Sequence, residues 1–112
     1  MAYDRDLADR IRGALAGRSV REVSMFGGLT FMVNEKMAAN ANTRGDLMVR
    51  CDPSRVDSLL ERDGADWPEM RGKKMSKGWI VVEAKRVKSD KILKSWIQEA
   101  LDYNKKVTDG GS

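Results

Sequence analysis

The sequence predicts an α+β domain, an antiparallel sheet of about five strands with helices packed on one face, in the order α-β(3-4)-α-β(2)-α. Three observations carry this. Apolar residues recur at helical spacing near both ends, at Leu7, Ile11, Ala14 and Leu15 and again at Ile92, Leu93, Trp96, Ile97, Ala100 and Leu101. Between them, apolar and polar residues alternate as in a strand, with Leu29, Phe31 and Val33 set against Thr30 and Met32. The strand segments are short and separated by turn formers, which suits an antiparallel sheet covered by the helices.

The elements follow in order. Asp4 to Ala16 reads as the first helix, with Gly17 as its stop. Val20 to Met25 is a strand, and Gly27-Gly28 interrupts the pattern, because glycines allow a bend or bulge where a side chain would clash. Leu29 to Val33, the turn Asn34-Glu35-Lys36 and Met37 to Ala41 form a hairpin. After the polar loop 42–45, Asp46 to Cys51 is a strand with Leu47 and Val49 on one face. Asp52 caps a second helix, Pro53 suits its first position, Val56, Leu59 and Leu60 form its apolar side, and Gly64 ends it. Residues 65–71 make a short edge strand, since Pro68 is tolerated only at an edge. Trp79 to Ala84 is strongly β-prone, and Ser89 caps a last helix over 90–106. Residues 1–108 therefore read as one domain, and 109–112 as a fraying tail.

Composition narrows the function. The chain has 112 residues, 34% of them charged and 41% hydrophobic, which suits a folded domain rather than a disordered chain. No apolar run approaches the ~20 residues of a membrane span, and the N-terminus lacks a signal core, so a cytoplasmic location is expected. The charge is uneven. Residues 71–94 hold nine basic residues against Glu83 and Asp90, whereas 1–70 hold 10 basic and 12 acidic. Such a segment draws polyanions, acidic proteins or nucleic acid. The same lysines on a solvated face would do no more than keep the chain soluble.

The chain has no histidine, which removes the commonest general base and metal ligand. Its single cysteine, Cys51, cannot build a structural zinc site or an internal disulfide, and suits packing better than nucleophilic attack. Gly27-Gly28 lacks the lysine and following helix of a phosphate loop, and the glycine-lysine run at 72–78 precedes a strand instead of following one. No catalytic, cofactor-binding or metal-binding residues are assigned, and no cofactor is expected. Met32 and Met48 fall out of phase with the core-facing set, so they belong to the other face of the sheet, as a partner surface or under a covering loop or second copy.

Several segments together resemble the TfoX/Sxy N-terminal domain family. They are Met25-Phe26-Gly27-Gly28-Leu29-Thr30-Phe31-Met32-Val33-Asn34, Lys36-Met37-Ala38, Gly45-Asp46-Leu47-Met48-Val49-Arg50 and Gly72-Lys73-Lys74-Met75-Ser76-Lys77-Gly78-Trp79. The resemblance implies an α+β domain similar to secretion-chaperone-like folds in a bacterial cytoplasmic protein. The family's namesakes regulate natural-competence genes together with a cyclic-AMP receptor protein, and carry a second helical domain; a stand-alone first domain is expected here. The resemblance supplies no catalytic residues.

The expected function is therefore a non-enzymatic regulatory or interaction module. Its partner is a protein, with transcription machinery as the candidate the resemblance suggests. Candidate partner-binding residues are Met32, Met48 and Arg50 on the sheet and Arg71, Lys73, Lys74 and Lys77 in the basic segment. Arg50 either bridges an acid such as Asp46 or holds an anionic partner. Phe26, Gly27, Gly28, Gly72, Gly78 and Trp79 are read as structural, the glycines for bends and close strand approach and Trp79 for core volume. The alternatives are sequence-independent nucleic-acid binding through 71–94 and, last, a small enzyme working without histidine. No membrane partner is expected, and monomer and homodimer both stay open.

Overall fold

The computed structural model describes residues 4–107 apart from 26, 27, 43, 63, 68, 71, 72 and 75–77; for 25, 69, 70, 73 and 74 it describes the backbone alone. Helix α1 spans Arg5–Ala14 and is followed by strands β1 (Val20–Met25), β2 (Gly28–Val33), β3 (Lys36–Ala41) and β4 (Leu47–Arg50). A 3-10 turn, Pro53–Arg55, leads into the single-turn helix α2 (Val56–Leu59). Then come β5 (Ala65–Asp66), β6 (Glu69–Met70), β7 (Lys73–Lys74) and β8 (Trp79–Val82), a 3-10 turn at Ala84–Arg86, and the long helix α3 (Asp90–Lys105). Six strands form one antiparallel sheet in the order β1-β2-β3-β4-β8-β5, while β6 and β7 pair separately. The α+β class and the antiparallel sheet agree with the sequence reading.

Local chemistry explains the boundaries. The Asp4 carboxylate accepts from the Leu7 backbone N–H at 3.1 Å and so starts α1. Beyond the helix the chain turns at Gly17, whose φ of +87° favours glycine. The β2–β3 hairpin turns through Asn34 and Glu35, both at positive φ (51° and 65°), the geometry that matches the right-handed twist of paired strands. Strands β1 and β2 pair antiparallel from Met25 and Gly28 outward, so Gly28 opens β2 instead of sitting in a bulge within it. The bulge falls elsewhere: between Phe31 and Met32 the register slips, leaving Ala38 as the extra residue of β3 and burying Ala38 and Ala39 in succession.

The core lies between the sheet and two helices. Leu29, Phe31, Val33, Leu47, Val49, Ile80 and Val82 face Ile11 of α1, Leu15 just past its end, and Leu93, Trp96 and Ile97 of α3. Helix α3 packs across β3 and β4, and α1 packs against β3 and α3. One polar residue enters this layer. Asn104 is buried, donates to the Val33 carbonyl at 2.8 Å and accepts from Asn34 at 3.2 Å, so it ties the end of α3 to the hairpin.

Three sequence expectations need correction. The second helix is one turn long instead of running to Gly64. Only Val56 and Leu59 are buried in it, too little apolar surface to hold a longer helix. The expected edge strand 65–71 divides into β5, which does sit at the sheet edge on β8, and β6, which pairs with β7. Ser89 occupies the cap position of α3, but its side chain makes no capping hydrogen bond. The entry to α3 is held instead by Arg10, which donates to the Val87 carbonyl at 2.6 Å, the Lys88 carbonyl at 3.0 Å and the Asp90 carboxylate at 3.1 Å.

Candidate functional site

The basic segment reaches one groove. Past β8 the chain makes a tight turn that carries Lys85 and Arg86, and Lys88 follows before α3 begins. On the other side the turn after α2 supplies Arg62. These four cations, with Ser89, Ile92 and Trp96, line a groove of about 520 Å³, and no carboxylate is among the described lining residues.

The cations are held differently. The Arg62 guanidinium lies 3.8 Å from the centre of the Trp96 ring and donates to the Ser95 hydroxyl at 2.6 Å, so it is fixed flat on an aromatic face. Lys85 makes an exposed 3.4 Å pair with Glu83, the sort of contact worth about 0–1 kcal/mol. Arg86 and Lys88 are exposed and have no ion pair among the described residues. The stem of Arg86 lies against Gly64, whose φ is +79° and where an added Cβ would come within 2.3 Å of the Arg86 Cγ. Apolar surface completes the groove: Ile92 is 42% exposed, the only exposed large hydrophobic among the described residues, whereas Trp96 is 1% exposed.

The residues singled out in the sequence are distributed more widely. Arg71 and Lys77 lie outside the described residues, and Lys73 and Lys74 form β7, of which only the backbone is described. Met32 is half-buried, with its sulfur 3.7 Å from Arg21 Nη2. Met48, which the sequence placed on the second face as either a partner surface or a covered residue, is only 6% exposed. Its strand neighbours on that face, Asn40 and Thr30, are equally buried, and Asn40 donates to the Thr30 hydroxyl at 2.8 Å. The middle of the second face is thus covered at Met48, Asn40 and Thr30. Arg50 does not pair with Asp46, whose carboxylate accepts from the Ala84 N–H instead. Its guanidinium sits between two rings, 5.8 Å from Trp79 and 5.7 Å from Tyr103.

Among the structural residues, Phe26, Gly27 and Gly72 lie outside the described set. Gly28 has a clear role, since a Cβ there would come 2.2 Å from the Ala41 carbonyl oxygen. At Gly78 φ is +116°, and the position a Cβ would take is filled by Arg50 Nη1 at 2.8 Å. Trp79 is buried, but strand alternation sets it on the face opposite Ile80 and Val82, away from the main core.

Cys51 is fully buried, and its N–H donates to the Gly78 carbonyl at 2.7 Å. Burial, with the Glu99 charge adding to it, pushes the thiol up to about 11, so at neutral pH it is protonated and shielded. Beside it, Lys106 bridges Asp52 at 2.7 Å and Arg55 pairs with Glu99 at 2.9 Å. Hydrogen bonds from Lys106 and Ser54 hold the Asp52 carboxyl well below the usual range. Both cations of this cluster are thus already paired with carboxylates.

Comparison with family models matches the TfoX N-terminal domain over residues 14–103. The chain belongs to that family. No match was found among curated proteins or among solved structures. The TfoX N-terminal match spans the sheet, the groove and most of α3, so Arg62, Lys85, Arg86 and Lys88 all fall inside this domain. No helix among the described residues is long and apolar enough to cross a membrane.

Sequence reading missed Arg62. Its neighbours in the chain, Glu61 and Asp63, are acidic, and its distance from the basic segment hides the pairing. The available signal was weak: Arg62 precedes Gly64, a turn that could carry it across to a neighbouring loop.

Proposed function

We propose that this TfoX N-terminal domain is a non-enzymatic interaction module of a regulatory kind, which docks a protein partner through the groove beside α3. The observation that carries the reading is the placement of Arg86 and Lys88. Two cations without an ion pair among the described residues stand beside exposed apolar surface, within one lined depression. A fold that needed these charges only for solubility would have no reason to gather them around Ile92. The buried, protonated Cys51 and the lack of histidine support binding over turnover. Family membership supports the regulatory setting, since the family's namesakes are competence regulators.

The test is affinity capture from bacterial lysate with and without nuclease, comparing the native chain with an Arg86→Glu, Lys88→Glu double variant. Protein capture that survives nuclease and disappears in the variant is the expected result. Capture that disappears with nuclease, with affinity falling by orders of magnitude between ~50 and ~200 mM salt, would replace the reading with nucleic-acid binding.

A further inference from the structure

The groove carries more than charge. A surface that recognises phosphates needs cations, and one that recognises single-stranded nucleic acid also needs an accessible flat aromatic face. Here the aromatic ring is withheld: Trp96 is 1% exposed and Arg62 covers one of its faces at 3.8 Å. What the groove exposes is aliphatic, Ile92 at 42%. Cations around an aliphatic spot complement carboxylates that flank an apolar side chain. The groove is an open depression of about 520 Å³, roomy enough to seat one side chain against Ile92.

We propose that the groove takes an acidic peptide segment anchored by one apolar side chain, which packs on Ile92 while its carboxylates meet Lys85, Arg86 and Lys88. This rests on the reading that the chain docks a protein partner, and it names the chemistry of that partner. Arg62 plays a different part from the other three. It is already committed to Trp96 and Ser95, so it forms a rigid wall instead of a mobile contact. Gly64 allows the Arg86 stem to lie close to the backbone, where a side chain at 64 would collide with it.

The test is fluorescence anisotropy with four labelled probes at roughly physiological ionic strength, about 0.15 M. The first is a short glutamate-rich peptide with a central leucine. The second replaces that leucine by serine, the third replaces the glutamates by glutamines, and the fourth is a single-stranded oligonucleotide of matched charge. The leucine-centred acidic peptide should bind about tenfold or more tighter than its serine counterpart, equivalent to ~1.4 kcal/mol. Ile92→Ser should abolish that advantage and leave the weaker, charge-driven binding in place. Lys88→Glu, at an exposed position outside the core, should weaken both acidic peptides, and Arg86→Glu should do the same. Circular dichroism confirms that each variant is folded.

Equal binding of the leucine and serine peptides would overturn the proposal, as would tighter binding of the glutamine peptide or of the oligonucleotide. Failure of the docking reading is read separately, from the lysate. If Arg86→Glu, Lys88→Glu abolishes protein capture while leucine gives no advantage, docking stands and the anchored-peptide proposal falls. If the double variant changes neither capture nor peptide binding, both fall.

Discussion

Gly28→Ala and Gly13→Ala make the same chemical change with opposite expected effects. At Gly28 a Cβ would lie 2.2 Å from the Ala41 carbonyl oxygen and 3.0 Å from the Asn42 Cα. Both are backbone atoms, at the end of β3 and just past it, so no side-chain rotation relieves the clash. To reach an ordinary contact β2 must withdraw from β3 by about 1 Å at the Leu29↔Ala41 pair. That weakens one or two ladder hydrogen bonds, at about 0.5–1.5 kcal/mol each, and adds overpacking strain of about 1–3 kcal/mol. A loss of about 2–4 kcal/mol follows, or a fall in Tm of about 10–25 °C for a domain of this size. At Gly13, on the exposed side of α1, an added Cβ meets nothing within 4 Å. There alanine should add about 0.5–1 kcal/mol through helix propensity alone. Thermal melts followed by circular dichroism, with urea titrations to check that m is unchanged, read both effects. A Gly28→Ala protein melting within 3 °C of the parent, by a rough limit set against the shift above, would refute the reasoning, since strand approach would then not require glycine.

Further predictions follow from single contacts. Cys51 should resist alkylation in the folded chain at neutral pH and react on addition of denaturant; ready labelling without unfolding would contradict its burial. Burial pushes the folded thiol up to about 11, above its ordinary range, so the stability it contributes is intact below pH ~9 and is lost as pH rises toward 11. Stability should therefore decline in that alkaline window, and Cys51→Ala should decline less. Asn104→Ala removes the donor to Val33 and the acceptor for Asn34, and should cost about 1–3 kcal/mol in urea titrations; a neutral result would mean that another group takes over both bonds. The Asp52 carboxyl is depressed by Lys106 and Ser54, so its contribution is present above the ordinary carboxylate range and is lost as pH falls through the folded value. Asp52→Asn should accordingly flatten the acid limb of the stability curve, and an unaltered limb would show that the bridge is inert.

Much of the sheet was legible because strand periodicity and turn chemistry are local. Val20–Met25 follows from alternation, and the reversal at Asn34-Glu35 from Asn34, which tolerates positive φ. Alternation also assigned Met48 to the face away from the helices. It could not say whether that face is covered, because cover depends on where distant segments fold. The same limit explains the groove. Lys85, Arg86 and Lys88 are a visible basic run, but Arg62 meets them only because β5 pairs with β8 and brings the turn after α2 alongside. Ser89 shows the opposite failure: a good capping residue stands at the cap without making the bond, while Arg10 from the far end of the chain holds the oxygens around it.

The strand order has a kinetic meaning. β1, β2, β3 and β4 are neighbours in sequence and in space, so each pairing closes a short loop at small entropic cost. β8 joins β4 only after the whole stretch from Cys51 to Gly78 has been looped out, and α3 can cover β3 and β4 only once its own turn has followed. Folding should therefore proceed from a four-strand meander that assembles early to a late docking step that completes the sheet and roofs it. The groove depends on that last step, since Arg62 belongs to the looped-out stretch and Lys88 to the segment that docks behind it. A partner that grips both walls would hold the final closure in place and slow unfolding far more than it speeds folding.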